Sequence, residues 1–252
     1  MAAPGEPRLL ILETSSRIGQ VALAVGETLR AVRRLDEARR HARDLAPALA
    51  EMLRGQCWRA RDLNAVVVSR GPGSYTGLRV GIMSAKALAY ATGCALIGID
   101  TFAAVALQAP PQVGQLDVLA DAQQAKVYVQ RFARIGSGDA WQPLTPLVIE
   151  PLTDWLARRA SGLNPEEPAW VSGPGLYVYG GQLPEAVPMV DAGRWDPQPD
   201  SLLHLGLARF KAGEHDDPWA LEPHYLRPSA AEEQWRRGPA SRSHAPRGNA
   251  LP

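Results

Sequence analysis

Residues 64–88 read N-A-V-V-V-S-R-G-P-G-S-Y-T-G-L-R-V-G-I-M-S-A-K-A-L and hold the densest set of groups in this chain that could do chemistry. Gly71, Pro72 and Gly73, followed by Ser74 and Thr76, separate a strand-like run from a helix-like run. A glycine turn that opens a helix exposes backbone N–H groups to an anion. The spacing nevertheless fails both common nucleotide motifs. Leu78-Arg79 follow Gly77 where a P-loop requires Lys-Ser/Thr, and Gly71, Gly73 and Gly77 do not fit G-x-G-x-x-G. A phosphate cradle and a purely structural tight turn both remain open for this loop.

Two acids stand where strands meet turns, Glu13 and Asp121. In a two-lobed nucleotide-binding fold such acids hold metal-bound phosphate or activate water. Otherwise each bonds its own turn. One acid per lobe, with no second acid or histidine beside it, favours the second reading and leaves a vestigial phosphate site as the alternative. The histidines, His41, His204, His215, His224 and His244, form no H-x-x-x-H, H-E-x-x-H or H-x-H pair. Ser74 lies in G-P-G-S-Y rather than G-x-S-x-G, so no hydrolase triad can be named. Cys57 and Cys94 lack a CxxC neighbour and read as buried, reduced thiols. No catalytic residue and no metal site emerge.

The elements that must position these groups follow from periodicity. Residues 8–13 form a short apolar run, residues 20–25 a second strand and 29–35 a third, with Gly26 between the last two; a three-stranded antiparallel meander is expected. A helix is expected over 39–54, with Leu45, Leu49, Met52 and Leu53 on one face. Pro47 then demands either a start capped by Asp44 or a kink. A strand at 65–69 leads through the glycine turn to a helix over 76–92. In it Gly77, Gly81, Ala85 and Ala89 recur every fourth residue as a smooth ridge, and Val80, Met83, Ala87 and Leu88 make other faces apolar. A helix apolar on more than one face is buried on more than one face, either wholly in the core or partly against a partner. Strand 95–99 and a helix from Asp100 or Thr101 to about 108 complete this part. After a turn-prone stretch at 109–114, strand–acid–turn–strand recurs at 116–121 and 126–134, which suggests an internal duplication. Strands at 141–149 and 170–171 and helices at 151–160 and 201–212 follow. Residues 228–252, rich in Ala, Arg, Ser, Gly and Pro, predict disorder. The expected organisation is an N-terminal lobe at 1–108, a C-terminal lobe at 109–227 and a tail at 228–252.

Composition limits the function classes. The 252 residues are 46% hydrophobic, enough for a sizeable core. Lys+Arg total 27 against Asp+Glu 26, a formal net charge of +1, which argues against unaided nucleic-acid binding through a clustered positive face. The N-terminal segment lacks a signal peptide's basic region, and no apolar run reaches the roughly 18 residues of a membrane span, so a cytoplasmic protein is expected.

The motif G-P-G-S-Y-T-G-L-R at 71–79, followed by V-G-I-M-S-A-K-A-L-A, resembles the TsaB (YeaZ-like) family. Collinear support comes from L-L-I-L-E-T-S-S at 9–16, H-A-R-D-L-A-P-A-L at 41–49, I-G-I-D-T at 97–101, D-A-Q-Q-A-K-V-Y at 121–128 and E-P-H-Y-L-R at 222–227. The resemblance spans about residues 8–227. It implies a two-lobed, actin-like (ASKHA) α/β fold built from duplicated βββαβα-type lobes, the second reduced. It further implies a non-catalytic subunit in formation of N6-threonylcarbamoyladenosine beside the tRNA anticodon. Such a subunit carries no cofactor, forms a heterodimer with the catalytic subunit TsaD, helps recruit the ATPase TsaE in an ATP-dependent ternary complex, self-associates in isolation, and meets tRNA only indirectly. On that view the helices at 39–54 and 76–92 form the partner face, with Leu45, Leu49, Met52, Gly77, Val80, Gly81, Ser84, Ala85 and Leu88 as its residues. Three positions depart from the family pattern: Glu13 stands where Asp is common, Gln123 where Arg often follows Asp-Ala, and Tyr75 replaces Phe. The tail beyond about Trp235 has no counterpart. The competing enzyme reading is an ATP/Mg²⁺-binding phosphotransferase or ATPase of the actin-like class, with Glu13, Asp121 and the loop at 71–76 converging on phosphate.

Overall fold

The computed structural model describes residues 5–35, 41–136, 140–161 and 168–226. Strands β1 (Arg8–Glu13), β2 (Gln20–Val25) and β3 (Thr28–Arg34) form the expected meander. Two further strands, β4 (Ala65–Gly71) and β5 (Ala95–Asp100), add in parallel to give a mixed sheet of order β3-β2-β1-β4-β5.

Both faces of this sheet are covered, which is why its inner strands read as continuous apolar runs rather than as alternation. Successive side chains point to opposite faces. Leu10, Leu12, Val21, Leu23, Val66 and Val68 pack beneath helices α1 (His41–Gly55) and α2 (Tyr75–Thr92). Leu9, Ile11, Ala22, Ala24 and Val67 pack instead against Leu202, Leu203 and Leu207 of helix α6 (Pro199–Lys211). Pro47 lies inside α1, not in a first turn capped by Asp44. The 39–40 portion of the expected helix lies outside the described residues. Cys57, just past α1, is exposed, and Cys94 is half-buried. The expectation of two buried thiols is therefore corrected, because Cys57 falls in the tight turn that ends the helix, with φ 57°.

Helix α3 (Thr101–Leu107) joins the two halves. Its Phe102, Val105 and Ala106 pack against Leu116, Val118 and Phe132 of the second sheet. That sheet is built on β6 (Gln115–Asp121) and β7 (Lys126–Arg134), antiparallel to each other. The sequence predicts one strand over 141–149. Two short ones form, β8 (Trp141–Pro143) and β9 (Val148–Pro151), both pairing β7, because residues 144–147 turn between them. Helix α4 (Leu152–Ser161) covers one face, and β10 (Trp170–Ser172) runs parallel to β6 as β4 does to β1. Among the described residues no strand follows β10 as β5 follows β4. Instead a four-residue helix, α5 (Leu176–Tyr179), closes the unit. The second lobe is a reduced copy of the first.

The tail reading for 228–252 lies outside the described residues. Within 109–227 one correction is needed. Helix α6 and residues 214–226 pack on the first lobe, not the second. Gly206 permits this, since a Cβ there would lie 2.5 Å from Val67. Beyond α6 the chain follows the outer edge of β5: Asp216 N–H donates to the Leu96 carbonyl at 2.8 Å, and Gly98 N–H donates to the Asp216 carboxylate at 2.7 Å. This pairing covers an edge strand that would otherwise be open.

Candidate partner-binding helix and its glycine loop

Strand β4 delivers the glycine loop to the start of α2. Gly71 has φ 113°, a conformation that side chains disfavour. Gly73 touches the turn after β1, where a Cβ would lie 2.6 Å from the Ser15 carbonyl. Ser74 caps α2: its Oγ accepts from Gly77 N–H at 3.2 Å. The Ser74 N–H donates to the Ser15 carbonyl at 2.7 Å. Two N–H groups that an anion would use are thus satisfied internally, and the cradle is filled by residues 14–16. Thr76 is exposed on the first turn and Pro72 is buried. Of the two readings left open by the sequence, the geometry matches the structural turn.

Glu13 is fully buried. Its Oε1 accepts from the backbone N–H and hydroxyl groups of both Ser15 and Ser16, at 2.6–3.3 Å. Its Oε2 has no hydrogen-bond partner among the described residues. Burial pushes this carboxyl above the usual range, against the lowering effect of the Ser15 hydrogen bonds. Asp121 is exposed and accepts from Gln123 N–H at 2.7 Å and from the Tyr179 hydroxyl at 2.7 Å. Burial, then this bond to Asp121, pushes the Tyr179 phenol to about 12, so it stays a donor. Each acid is engaged by its own turn or neighbour. Among the described residues no group of three or more His, Cys, Asp or Glu could hold a metal ion.

Helices α1 and α2 carry the nine residues of the sequence-derived partner face, three on α1 and six on α2. Gly77, Gly81 and Ala85 are buried and point into the chain's own core. A Cβ on Gly77 would lie 2.0 Å from the Thr14 carbonyl, and one on Gly81 2.1 Å from Thr14 Oγ1. The smooth ridge exists so that α2 can sit on the end of β1, not to admit a second helix from outside. On α1, Leu45 and Met52 are likewise in the core. Of the core and partner readings left open by the sequence, these five residues pack inward in this chain. Leu49, Val80 and Leu88 are half-buried against the same core, and Ser84 is partly exposed.

The outward apolar surface of α2 was not among the residues chosen from sequence. Met83 is 62% exposed and Tyr90 74% exposed. The segment 214–226 extends this surface. Trp219 meets Tyr90 edge-on, with centroids 5.7 Å apart, and Tyr225 stacks on Tyr75 at 4.7 Å. The i, i+7 spacing of Met83 and Tyr90 was a readable signal, obscured because the ridge of small residues is the more regular pattern. A second missed signal is a repeat of the loop itself. Gly173-Pro174-Gly175 follows β10 as Gly71-Pro72-Gly73 follows β4, and Gly173 has φ 108°. Here a Cβ on Gly173 would lie 2.3 Å from the Leu119 carbonyl, so this loop presses on β6, whereas the first presses on the turn after β1.

The comparisons with known proteins follow this geometry. The sequence model of the TsaD family, tRNA N6-adenosine threonylcarbamoyltransferase, matches residues 35–152. The tRNA threonylcarbamoyladenosine biosynthesis protein TsaB of Escherichia coli (strain K12) is 29% identical over 238 residues, 92% of this chain and 98% of its own length. The TsaB of Bacillus subtilis (strain 168) is 25% identical over 231 residues, 90% of this chain and 97% of its own. An uncharacterized protein of Mycobacterium tuberculosis (strain ATCC 25618 / H37Rv) is 32% identical over 196 residues, 76% of this chain and 77% of its own. Among solved structures, YeaZ from Pseudomonas aeruginosa superposes with a TM-score of 0.72 at 22% identity, covering 87% of this chain and 100% of that one.

Proposed function

The chain belongs to the TsaB (YeaZ-like) family of tRNA threonylcarbamoyladenosine biosynthesis proteins and has its actin-like fold, and from that premise we propose that it is the accessory, non-catalytic subunit that binds and activates TsaD. The observation that carries the reading is the contrast between the two candidate sites. The loop and acids that would handle phosphate are used up by internal hydrogen bonds, whereas α2 turns Met83 and Tyr90 to solvent. An exposed apolar strip on a rigid helix is what a partner helix covers.

The match of residues 35–152 to the TsaD family supports the choice of partner. A chain whose lobe is built like its partner's can pair with it through equivalent helices, as two copies of one protein pair through a shared two-fold face. The contact face comprises Leu49, Val80, Ser84 and Leu88 with Met83, Ala87 and Tyr90. The complex recruits TsaE in the presence of ATP, acts in the cytoplasm, and leaves tRNA contact chiefly to TsaD. The same strip accounts for self-association when TsaD is absent.

Co-elution of this chain with TsaD from the same organism, with and without TsaE and ATP, tests the proposal. A stoichiometric complex is expected. Separate elution at micromolar concentrations overturns the assignment. Calorimetry of the isolated chain with ATP and Mg²⁺ tests the enzyme reading, for which tight binding would be the supporting result.

A further inference from the structure

Among the described residues the chain passes between its lobes at α3 and again at residues 195–198, which lead into α6. Helix α3 is held by both lobes. Ala104 packs with Leu202 and Leu203 on the first-lobe side, and Phe102, Val105 and Ala106 pack on the second sheet. The return crossing is anchored in the second lobe up to Trp195. The Trp195 Nε1 donates to the Val190 carbonyl at 2.8 Å, and Val190 N–H donates to the Val171 carbonyl at 2.9 Å. From Pro199 onward the chain packs on the first lobe as α6. Where two lobes are joined by such crossings, a change in the angle between them is absorbed by a few residues at the ends of elements. Gln108, at the end of α3, and residues 195–198 hold those positions.

Gln108 ties the two crossings together. Its Nε2 donates to the carbonyls of Arg194 and Asp196, both at 3.0 Å. Its Oε1 accepts from Gln198 N–H at 2.6 Å. The Ser201 hydroxyl lies 2.8 Å from the same oxygen and 2.9 Å from the Gln198 carbonyl, so its one hydrogen is shared between them. The Gln108 backbone carbonyl accepts from Arg194 Nη1 at 2.7 Å. Arg194 and Asp196 stand on the second-lobe side of the return crossing, and Gln198 and Ser201 at the start of α6 on the other. One amide thus spans the point at which the lobes would turn.

The chemistry needs this side chain. An amide offers two donors and a carbonyl acceptor in one plane, so it can face two carbonyls on one side and an N–H and a hydroxyl on the other. A carboxylate would set acceptors against the carbonyls of Arg194 and Asp196, and an aliphatic group would leave part-buried backbone groups unpaired. Further contacts pin the return crossing from each lobe. Gln20 Nε2, on β2, donates to the Pro197 carbonyl at 3.4 Å. The Tyr177 hydroxyl, on α5, donates to Asp196 Oδ2 at 3.0 Å, and its ring meets Trp195 edge-on with centroids 5.0 Å apart.

We propose that Gln108 bolts the two crossings together and holds the lobes at one angle, so that the chain acts as a rigid two-lobed platform and not as a clamp that closes on a ligand. The bolt lies at the hinge, apart from Met83 and Tyr90 on α2, and it stands or falls independently of the TsaD assignment.

Inter-lobe distances in the full chain test it. Cys57, exposed on the first lobe, takes one spin label, Gln142→Cys on the exposed part of β8 takes the other, and Cys94→Ala removes the remaining thiol. Double electron–electron resonance should give a single narrow distance distribution that ATP and Mg²⁺ leave unchanged. Gln108→Leu, which removes the side-chain bonds and keeps the bulk, should widen that distribution at least about twofold. Its amide exchange at Gln198 should quicken at least about tenfold, while the amides of β1 and β4 keep their protection. Arg194→Met removes only the bond to the Gln108 carbonyl and should widen the distribution less; it carries the comparison should Gln108→Leu fail to fold in thermal melting. A broad or two-peaked distribution in the chain with Gln108 intact, a shift on adding ATP and Mg²⁺, or folded variants as narrow as that chain would each overturn the proposal. Exchange that quickens equally in β1, β4 and Gln198 would also overturn it, because Gln108 would then support the fold as a whole and not the hinge.

Discussion

The Thr14 hydroxyl lies 2.1 Å from the point that a Cβ on Gly81 would occupy, so helix α2 is seated directly on the end of the first strand. The same residue's carbonyl stands 2.0 Å from the corresponding point on Gly77. These two glycines are fixed by what lies beneath α2.

Gly81→Ala should therefore destabilise the folded chain by about 2–4 kcal/mol through overpacking. Thr14→Ala removes the atom in the way. The double variant should recover at least about 1 kcal/mol relative to the sum of the singles. Gly77→Ala meets backbone instead, and no change of side chain at Thr14 should rescue it. Urea unfolding of the four variants checks this, and strict additivity at Gly81 would count against the packing.

The proposed partner face calls for a substitution that leaves this seat alone. Met83→Glu should change stability by less than about 0.5 kcal/mol, since the side chain is exposed. The same change should weaken association with TsaD by more than about tenfold. Gly81→Glu, by contrast, would lose the complex through damage to the fold and so could not report on the interface. Co-elution of a folded Met83→Glu chain with TsaD at wild-type yield would remove α2 from the interface.

Glu13 gives a pH signature. Its carboxyl is pushed up by burial in the folded state, so the folded chain holds this proton more tightly than the unfolded chain does. The resulting stabilisation is complete below the unfolded carboxyl's range and is lost as pH rises through the raised folded value. Glu13→Gln cannot titrate there. The stability difference between wild type and Glu13→Gln should therefore shift against the wild type as pH increases from 4 to 7. A difference that is independent of pH, or that shifts toward the wild type, would show that burial does not raise this carboxyl.

Asp117 is the only anion bonded to Arg159 among the described residues. Asp117→Ala should cost about 3–5 kcal/mol, because two guanidinium groups lose their partner in a buried setting. Adding Arg159→Met should restore part of that loss. Chemical denaturation of the single and double variants checks the sign of the coupling.

Leu221, in the segment beyond α6, is buried in the first lobe's core. Leu221→Ala should cost about 2–4 kcal/mol, as for other buried leucines. Trp219→Ala, at 79% exposure, should cost less than about 1 kcal/mol. A Leu221→Ala chain as stable as the wild type would show that this segment is not anchored.

Much of the architecture was legible from local pattern. The meander, the strand–turn–helix at Gly71 and the repeated strand–acid–turn–strand follow from short apolar runs punctuated by turn residues and from a Gly-Pro-Gly turn, each a property of neighbouring residues. The split of 141–149 into β8 and β9 was not legible, because pairing to β7 on both sides of a turn is a non-local event. The reach of α6 back to the first lobe was equally hidden. A helix's apolar face records that it packs, not against which sheet.

By itself, the sequence determined the two-lobed plan, the family, and the failure of the glycine loop to fit a nucleotide motif. Tertiary structure decided which way α2 faces. Four-residue spacing of small side chains is equally good for seating a helix on its own sheet and for admitting a partner. Only the position of Thr14, brought under Gly77 and Gly81 by the pairing of β1 with β4, distinguishes the two. The ridge, which the sequence left open between core and partner, packs inward, and the exposed apolar side chains of α2 include Met83 and Tyr90.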